Sequence, residues 1–147
     1  MNITDLDDKW FKEMSSEFLN NTYKMFSYLV DFNPTLIKKF VNENMLKENY
    51  CNKNFQYPLE KHLYDIFLYI TNKNSKPKHL NTTINTVISI VWGNPYINEK
   101  PKINWTAWEK TKLGFMISIA LIKKKYENKK ALTPKELSML YGCTPNA

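Results

Sequence analysis

Hydrophobic residues recur at steps of three and four along most of this chain, a spacing typical of amphipathic helices. The first such stretch runs from Thr4 to about Asp31. Acidic residues in its first turn, Asp5, Asp7 and Asp8, stabilise the positive end of the helix dipole. The pattern therefore predicts a long first helix whose carboxylates serve as caps.

Proline positions indicate where the next two helices begin, because proline is favoured at the first helical position. A second helix is predicted from Asn33 to about Glu48, and a third from Pro58 through Ile70. The polar residues 49–57 form a loop between them. Residues 72–79 are the most linker-like part of the chain.

Residues 82–92 contain many β-branched side chains, which suit a strand as well as a helix. We predict a short fourth helix because no partner strand is evident elsewhere. Thr82 or Thr83 is expected to cap it, and Gly93 with the following Asn-Pro to end it. Residues 96–104 then form an irregular connection.

Two capping boxes introduce the remaining helices. In this motif a threonine hydroxyl and a glutamate three residues later each satisfy a free backbone N–H. Thr106 and Glu109 predict a long fifth helix to about Tyr126, and Thr133 and Glu136 predict a final helix. The apolar run 113–122 is half the length of a membrane span, so it predicts a core helix and no membrane contact.

Together these elements predict an all-α fold, a single compact bundle of five or six helices. With 147 residues the chain suits one packed domain, with an acidic helical part at 1–72 and a basic helical part at 80–147. Cys51 and Cys143 form no metal-binding or disulfide pattern. The N-terminal region lacks the basic and apolar segments of a signal peptide, so a cytoplasmic location is expected.

Positive charge is unevenly distributed. All 21 basic residues are lysine. Residues 1–60 hold 7 Lys against 9 acidic residues, a net charge of −2, whereas residues 61–147 hold 14 Lys against 5, a net of +9. A uniform preference for lysine codons does not produce such a split, so the C-terminal part is expected to face phosphates or another acidic surface.

The last sixteen residues, 132–147, combine a capped helix, a small residue, a glycine and a second cap. These roles fall on Thr133, Ser138, Gly142 and Thr144. The segment resembles the first half of the helix-turn-helix found in bacterial and phage regulators, which implies DNA binding through the helix after the turn. Only three residues follow Thr144, so the reading helix is not completed within this sequence. The alternative is a plain terminal helix ended by a glycine cap.

Six lysines precede or enter this motif: Lys123, Lys124, Lys125, Lys129, Lys130 and Lys135. Lysine contacts phosphate as a point charge, whereas guanine reading favours the arginine fork. We predict that these lysines, with Thr144 and Asn146, contact nucleic acid mainly through its backbone. The alternative is a solvated helix end whose cations complement the helix dipole.

Catalysis has little support. His62 and Asp65 share a helix face but lie on an ordinary amphipathic helix, and the three glycines are too scattered for a phosphate-binding loop. We therefore expect no enzyme activity, catalytic residue, cofactor, metal or nucleotide.

Two functions remain. The preferred one is a DNA-binding, transcription-regulating protein of bacterial, phage or plasmid origin that binds duplex DNA, its helical N-terminal part serving oligomerisation or partner binding. The alternative is a helical protein–protein interaction module that binds a host protein. For that role Trp105 and Trp108 are the candidates, because both are expected to be partly exposed.

Overall fold

The computed structural model describes residues 1–29, 58–93 and 99–143. Within these ranges the chain forms α-helices and one short 3₁₀ helix, Ile3–Asp5, with no strand, which confirms the all-α class. The helices are α1 (Asp8–Leu29), α2 (Pro58–Ile70), α3 (Leu80–Trp92), α4 (Trp105–Trp108), α5 (Lys112–Glu127) and α6 (Pro134–Tyr141). The helix predicted at 33–48 and its loop lie outside the described residues.

Helix α5 is the centre of the structure. Its side chains from Leu113 to Ala120 are all buried, as is Ile122. A helix that is buried on every side must be surrounded by others. Helices α1, α2, α4 and α6 all contact it, and α3 packs on α2. The predicted core helix at 113–122 is therefore confirmed.

One hydrophobic core joins the described segments. Phe11 of α1 meets Tyr64 and Phe67 of α2, with ring centroids 5.0 and 5.3 Å apart. Fully buried residues of α2 and α3, including Leu63 and Val87, belong to the same cluster as α5. The acidic and basic parts of the sequence thus pack on shared apolar surface.

The chain begins differently from the prediction. The predicted helix from Thr4 is divided, because residues 3–5 form the 3₁₀ helix and α1 begins only at Asp8. Asn2 caps the first element, and the Asp7 carboxylate accepts a hydrogen bond of 2.7 Å from the Trp10 amide. The capping interpretation of Asp7 is therefore confirmed.

Helix α3 confirms the choice of helix over strand at residues 82–92. Its buried residues, Leu80, Thr83, Ile84 and Val87, fall on one helical face. The predicted cap is wrong, because α3 begins at Leu80 and neither Thr82 nor Thr83 precedes it. His79 occupies the cap position without a side-chain hydrogen bond to the helix.

The predicted long fifth helix is broken into α4 and α5, and its capping box is wrong. The Asn104 side chain caps α4 by accepting from the Ala107 amide at 3.1 Å. Thr111 caps α5 by accepting from the Gly114 amide at 3.1 Å. The chain turns between these caps, which brings Gly114 against the Trp108 carbonyl.

We expect Gly114→Ala to destabilise the fold. A Cβ at Gly114 would lie 2.1 Å from the Trp108 carbonyl oxygen, a backbone atom that cannot move aside cheaply. Overpacking of this kind lowers the free energy of unfolding by about 1–3 kcal/mol. In a helix with free space at the glycine, the same substitution would instead raise it by about 1 kcal/mol. Chemical denaturation measures the change. The exposed Ser89→Ala serves as the control and should shift the free energy of unfolding by less than about 0.5 kcal/mol. An equally small change in Gly114→Ala would contradict the packing.

Candidate nucleic-acid interface

Helix α6 begins as the sequence predicts. The Thr133 hydroxyl accepts from the Glu136 amide at 3.2 Å, and the Glu136 carboxylate accepts from the Thr133 amide at 2.7 Å. Lys125 of α5 also binds this carboxylate, at 2.9 and 3.0 Å. The bond from the Thr133 amide, and then Lys125, hold the pKa of Glu136 below its usual value. The capping box thus also joins α6 to α5.

The turn after α6 is held from both sides. Gly142 ends the helix in the left-handed conformation, with φ of 67°, which favours glycine. Its carbonyl accepts a hydrogen bond of 3.0 Å from the Asn2 side chain, and the Ser138 hydroxyl donates to the Cys143 carbonyl. Cys143 itself is exposed.

Helix α6 and the Gly142 turn that ends it are described as far as Cys143, and the resemblance to a helix-turn-helix stays a prediction. Thr144 and Asn146, the two predicted contacts beyond the turn, lie outside the described residues.

The six predicted lysines fall into three groups. Lys125 and Lys135 form ion pairs, with Glu136 at 2.9 Å and Glu109 at 2.6 Å. The Lys123 and Lys124 ammonium groups donate to neutral oxygens of α2, its following turn and α3. Lys129 and Lys130 are exposed, and their side chains make no hydrogen bond or ion pair with any described residue. Lys129 and Lys130 are therefore the lysines of this group that are most available to bind an anion from solution.

Lys123 is a structural clamp. Its ammonium group donates to the Tyr69 carbonyl at 2.5 Å and to the Asn72 side chain at 2.6 Å, and lies 4.4 Å from the centre of the Tyr69 ring. Burial lowers its pKa, while the Glu127 carboxylate partly opposes that shift. The Tyr69 hydroxyl in turn donates to Glu127 at 2.8 Å. These bonds fix the end of α5 to the end of α2.

The contacts of Lys123 and Lys124 bring together a basic surface that was not predicted from the sequence. Lys124 donates to Asn81 at 2.7 Å, which sets the last turns of α5 beside the start of α3. The segment joining α2 to α3 carries three further exposed lysines at this end of the bundle. We call the whole group the basic end: Lys73, Lys76, Lys78, Lys124, Lys129 and Lys130.

The turn after α6 lies at the same end of α5. Tyr141 hydrogen-bonds Tyr126 in the last turn of α5, a contact that raises the Tyr141 pKa.

The run Lys76-Pro77-Lys78 was the signal in the sequence for the part of the basic end that joins α2 to α3. The position of this run beside α5 could not be predicted, because it depends on contacts between residues far apart in the sequence.

The two candidate tryptophans differ in exposure. Trp105 is half-buried, but Trp108 is only 5% exposed, so the expected partial exposure is wrong for Trp108. Its ring packs between Trp105 and Trp92, at centroid distances of 5.4 and 6.0 Å. Trp108 therefore belongs to the core, and only Trp105 offers surface to a partner.

The described part of the chain offers neither a metal-binding cluster nor a membrane-spanning helix. Across 1–29, 58–93 and 99–143, no group of three or more His, Cys, Asp or Glu side chains is arranged to hold a metal ion. In the same ranges, no helix combines the length and apolar character needed to cross a bilayer.

The comparisons with known proteins identify no relative: no family model matches the chain, and no significant match is found among curated proteins or solved structures.

We expect Thr133→Ala to loosen α6. Losing an N-cap hydroxyl costs about 1 kcal/mol, and Thr133→Ser, which keeps the oxygen, should cost much less. Amide hydrogen exchange at residues 137–141 measures the effect, with faster exchange expected in the alanine variant alone. Equal exchange in both variants would show that the cap does not hold the helix.

Proposed function

We propose that this chain binds duplex DNA through phosphate contacts made by the basic end, as a DNA-binding regulatory protein. The observation that supports this most is the juxtaposition of two features. Lysines from two separated segments, residues 73–78 and 124–130, lie at one end of the bundle, and the Gly142 turn lies at that same end. In a helix-turn-helix, such a turn directs the following helix toward the duplex.

The chemistry of the basic end favours contacts to the DNA backbone. Lysine ammonium groups are compact charges that bind phosphate without a fixed orientation, and the chain has no arginine for forked recognition of guanine. Lys129 and Lys130 are available for such contacts without breaking an internal ion pair. Any base reading then falls to residues beyond the turn, including Thr144 and Asn146.

A second candidate function, binding of a protein partner, is favoured by a different observation. Tyr126, Leu137 and Tyr141 are 51%, 40% and 58% exposed, on α6 and the adjacent end of α5. Aromatic side chains of this kind are frequent anchors at protein interfaces. A host protein docking here would depend on these three residues more than on the lysines.

The double variant Lys129→Gln, Lys130→Gln is expected to weaken binding to any duplex, because each phosphate contact releases counterions on binding. If both lysines contact phosphate, the slope of log K against log salt becomes less negative by about 1.8. Fluorescence anisotropy with a labelled duplex at several salt concentrations measures both quantities.

The control variant Lys102→Gln, Lys110→Gln removes the same charge from exposed positions before α5, at its other end. It should leave the slope nearly unchanged. Equal loss in both variants would mean that only net charge matters, and absence of salt-sensitive binding by the parent chain would refute the proposal. If a protein partner is the true ligand, Leu137→Asp will abolish its binding while the lysine variants retain it.

A further inference from the structure

A cleft of about 340 Å³ lies between α4, α5 and α6. Four apolar side chains line it: Trp105 of α4, Leu121 and Ile122 of α5, and Met139 of α6. Ile122 is buried and the other three are half-buried, so apolar surface stays accessible to a ligand. Binding sites for small molecules are concave, mostly apolar and roughly 300–1,000 Å³ in volume. This cleft falls at the lower end of that range and suits a small ligand.

One polar group of the lining has no partner. Ser118 of α5 lines the cleft and is 4% exposed, and its hydroxyl is buried without a hydrogen bond to any described residue. By contrast Ser15, a buried serine of α1, donates to the Lys12 carbonyl at 3.3 Å. A buried hydroxyl without a partner destabilises the folded chain, and a bound molecule that supplies a partner removes that cost.

The charged residues of the lining are already paired with one another or with a neighbour. Glu109 binds Lys135 at 2.6 Å, and Glu136 binds Lys125 of α5 at 2.9 Å. The Glu136 carboxylate also accepts a hydrogen bond from the Thr133 amide. A charged ligand would have to compete with these ion pairs, whereas a neutral ligand leaves them intact. The cleft therefore favours a neutral ligand.

We propose that this cleft binds a small, neutral, planar aromatic molecule that carries one hydrogen-bonding group. The ring of the ligand packs against the Trp105 indole and the apolar side chain of Leu121. Its polar group bonds to the Ser118 hydroxyl, which can both donate and accept. Met139 has a flexible side chain that can move aside as the ligand approaches this hydroxyl. The cleft is separate from the basic end, so this site does not depend on DNA binding.

Indole is the first probe, because it is neutral and planar and has a single N–H donor. Added to the intact chain, indole should shift the methyl NMR resonances of Leu121, Ile122 and Met139, and the shifts should saturate. The methyl groups of Ile66 and Val87, which are buried but do not line the cleft, should not move. Absence of binding up to the solubility of indole, or equal shifts of the cleft and control methyl groups, would overturn the proposal.

N-methylindole isolates the hydrogen bond, because it keeps the ring system and lacks the donor. It should bind about three- to tenfold more weakly than indole, which is the loss expected for one hydrogen bond. In Ser118→Ala the two probes should bind with equal affinity. If the full difference between the probes persists in Ser118→Ala, the hydroxyl does not hold the ligand and the proposal is wrong.

The stability of the same variant gives a second readout, which separates a lost contact from misfolding. Ser118→Ala removes an unpaired buried hydroxyl, so it should raise the midpoint of thermal unfolding while it weakens indole binding. The matched control Ser15→Ala removes a hydroxyl that has a partner and does not line the cleft. It should not raise the midpoint, and it should leave the indole affinity unchanged. A lower midpoint in Ser118→Ala would mean that its hydroxyl is already satisfied, which contradicts the proposed site.

Trp105→Ala tests the stacking surface. Because the ring contact is common to both probes, this variant should weaken indole and N-methylindole by the same factor, about three- to tenfold. Circular dichroism checks that the variant is folded. Unchanged affinity for both probes would show that the ligand does not lie against Trp105 and would contradict the proposal.

Discussion

The burial of α5 on all sides is the constraint on which the rest of the structure depends. Because its residues from Leu113 to Ala120 are inaccessible, the other helices must cover it, and its charged residues are confined to its ends. The C-terminal end carries consecutive lysines. The same apolar sequence that forms the core thus determines where the positive charge emerges.

Internal contacts then separate the lysines that stabilise the fold from those that remain available to a partner. Lys123 is engaged with Tyr69 and Asn72, and Lys125 with Glu136, so these ammonium groups hold α2, α5 and α6 together. Exposed ion pairs contribute little individually, but a half-buried amine with several oxygen partners fixes a geometry. Lys123 and Lys124 also hold the α2–α3 connection beside α5, which brings the exposed lysines of that connection to the end of α5 where Lys129 and Lys130 lie.

Local patterns predicted most of the helices and the Thr133 capping box, because helical periodicity and caps depend on residues three or four apart. They predicted the wrong cap between residues 104 and 111. Thr106 and Glu109 satisfy the capping-box pattern in the sequence, whereas the side chains of Asn104 and Thr111 are the caps in the structure. The basic end could not be predicted in this way, because it depends on contacts between residues more than 40 positions apart. His62 and His79 look unremarkable in sequence, since neither has a metal or catalytic pattern around it, and only the return of α3 onto α2 sets them side by side.

The most direct test of the account is backbone amide chemical-shift mapping of the chain with a short DNA duplex. If the basic end is the interface, the perturbed amides will cluster at residues 73–81, 124–130 and 142–143, and the perturbations will diminish as salt is raised. Perturbations centred on Trp105 and Lys112 at the other end of α5, or none at any salt concentration, would contradict the account.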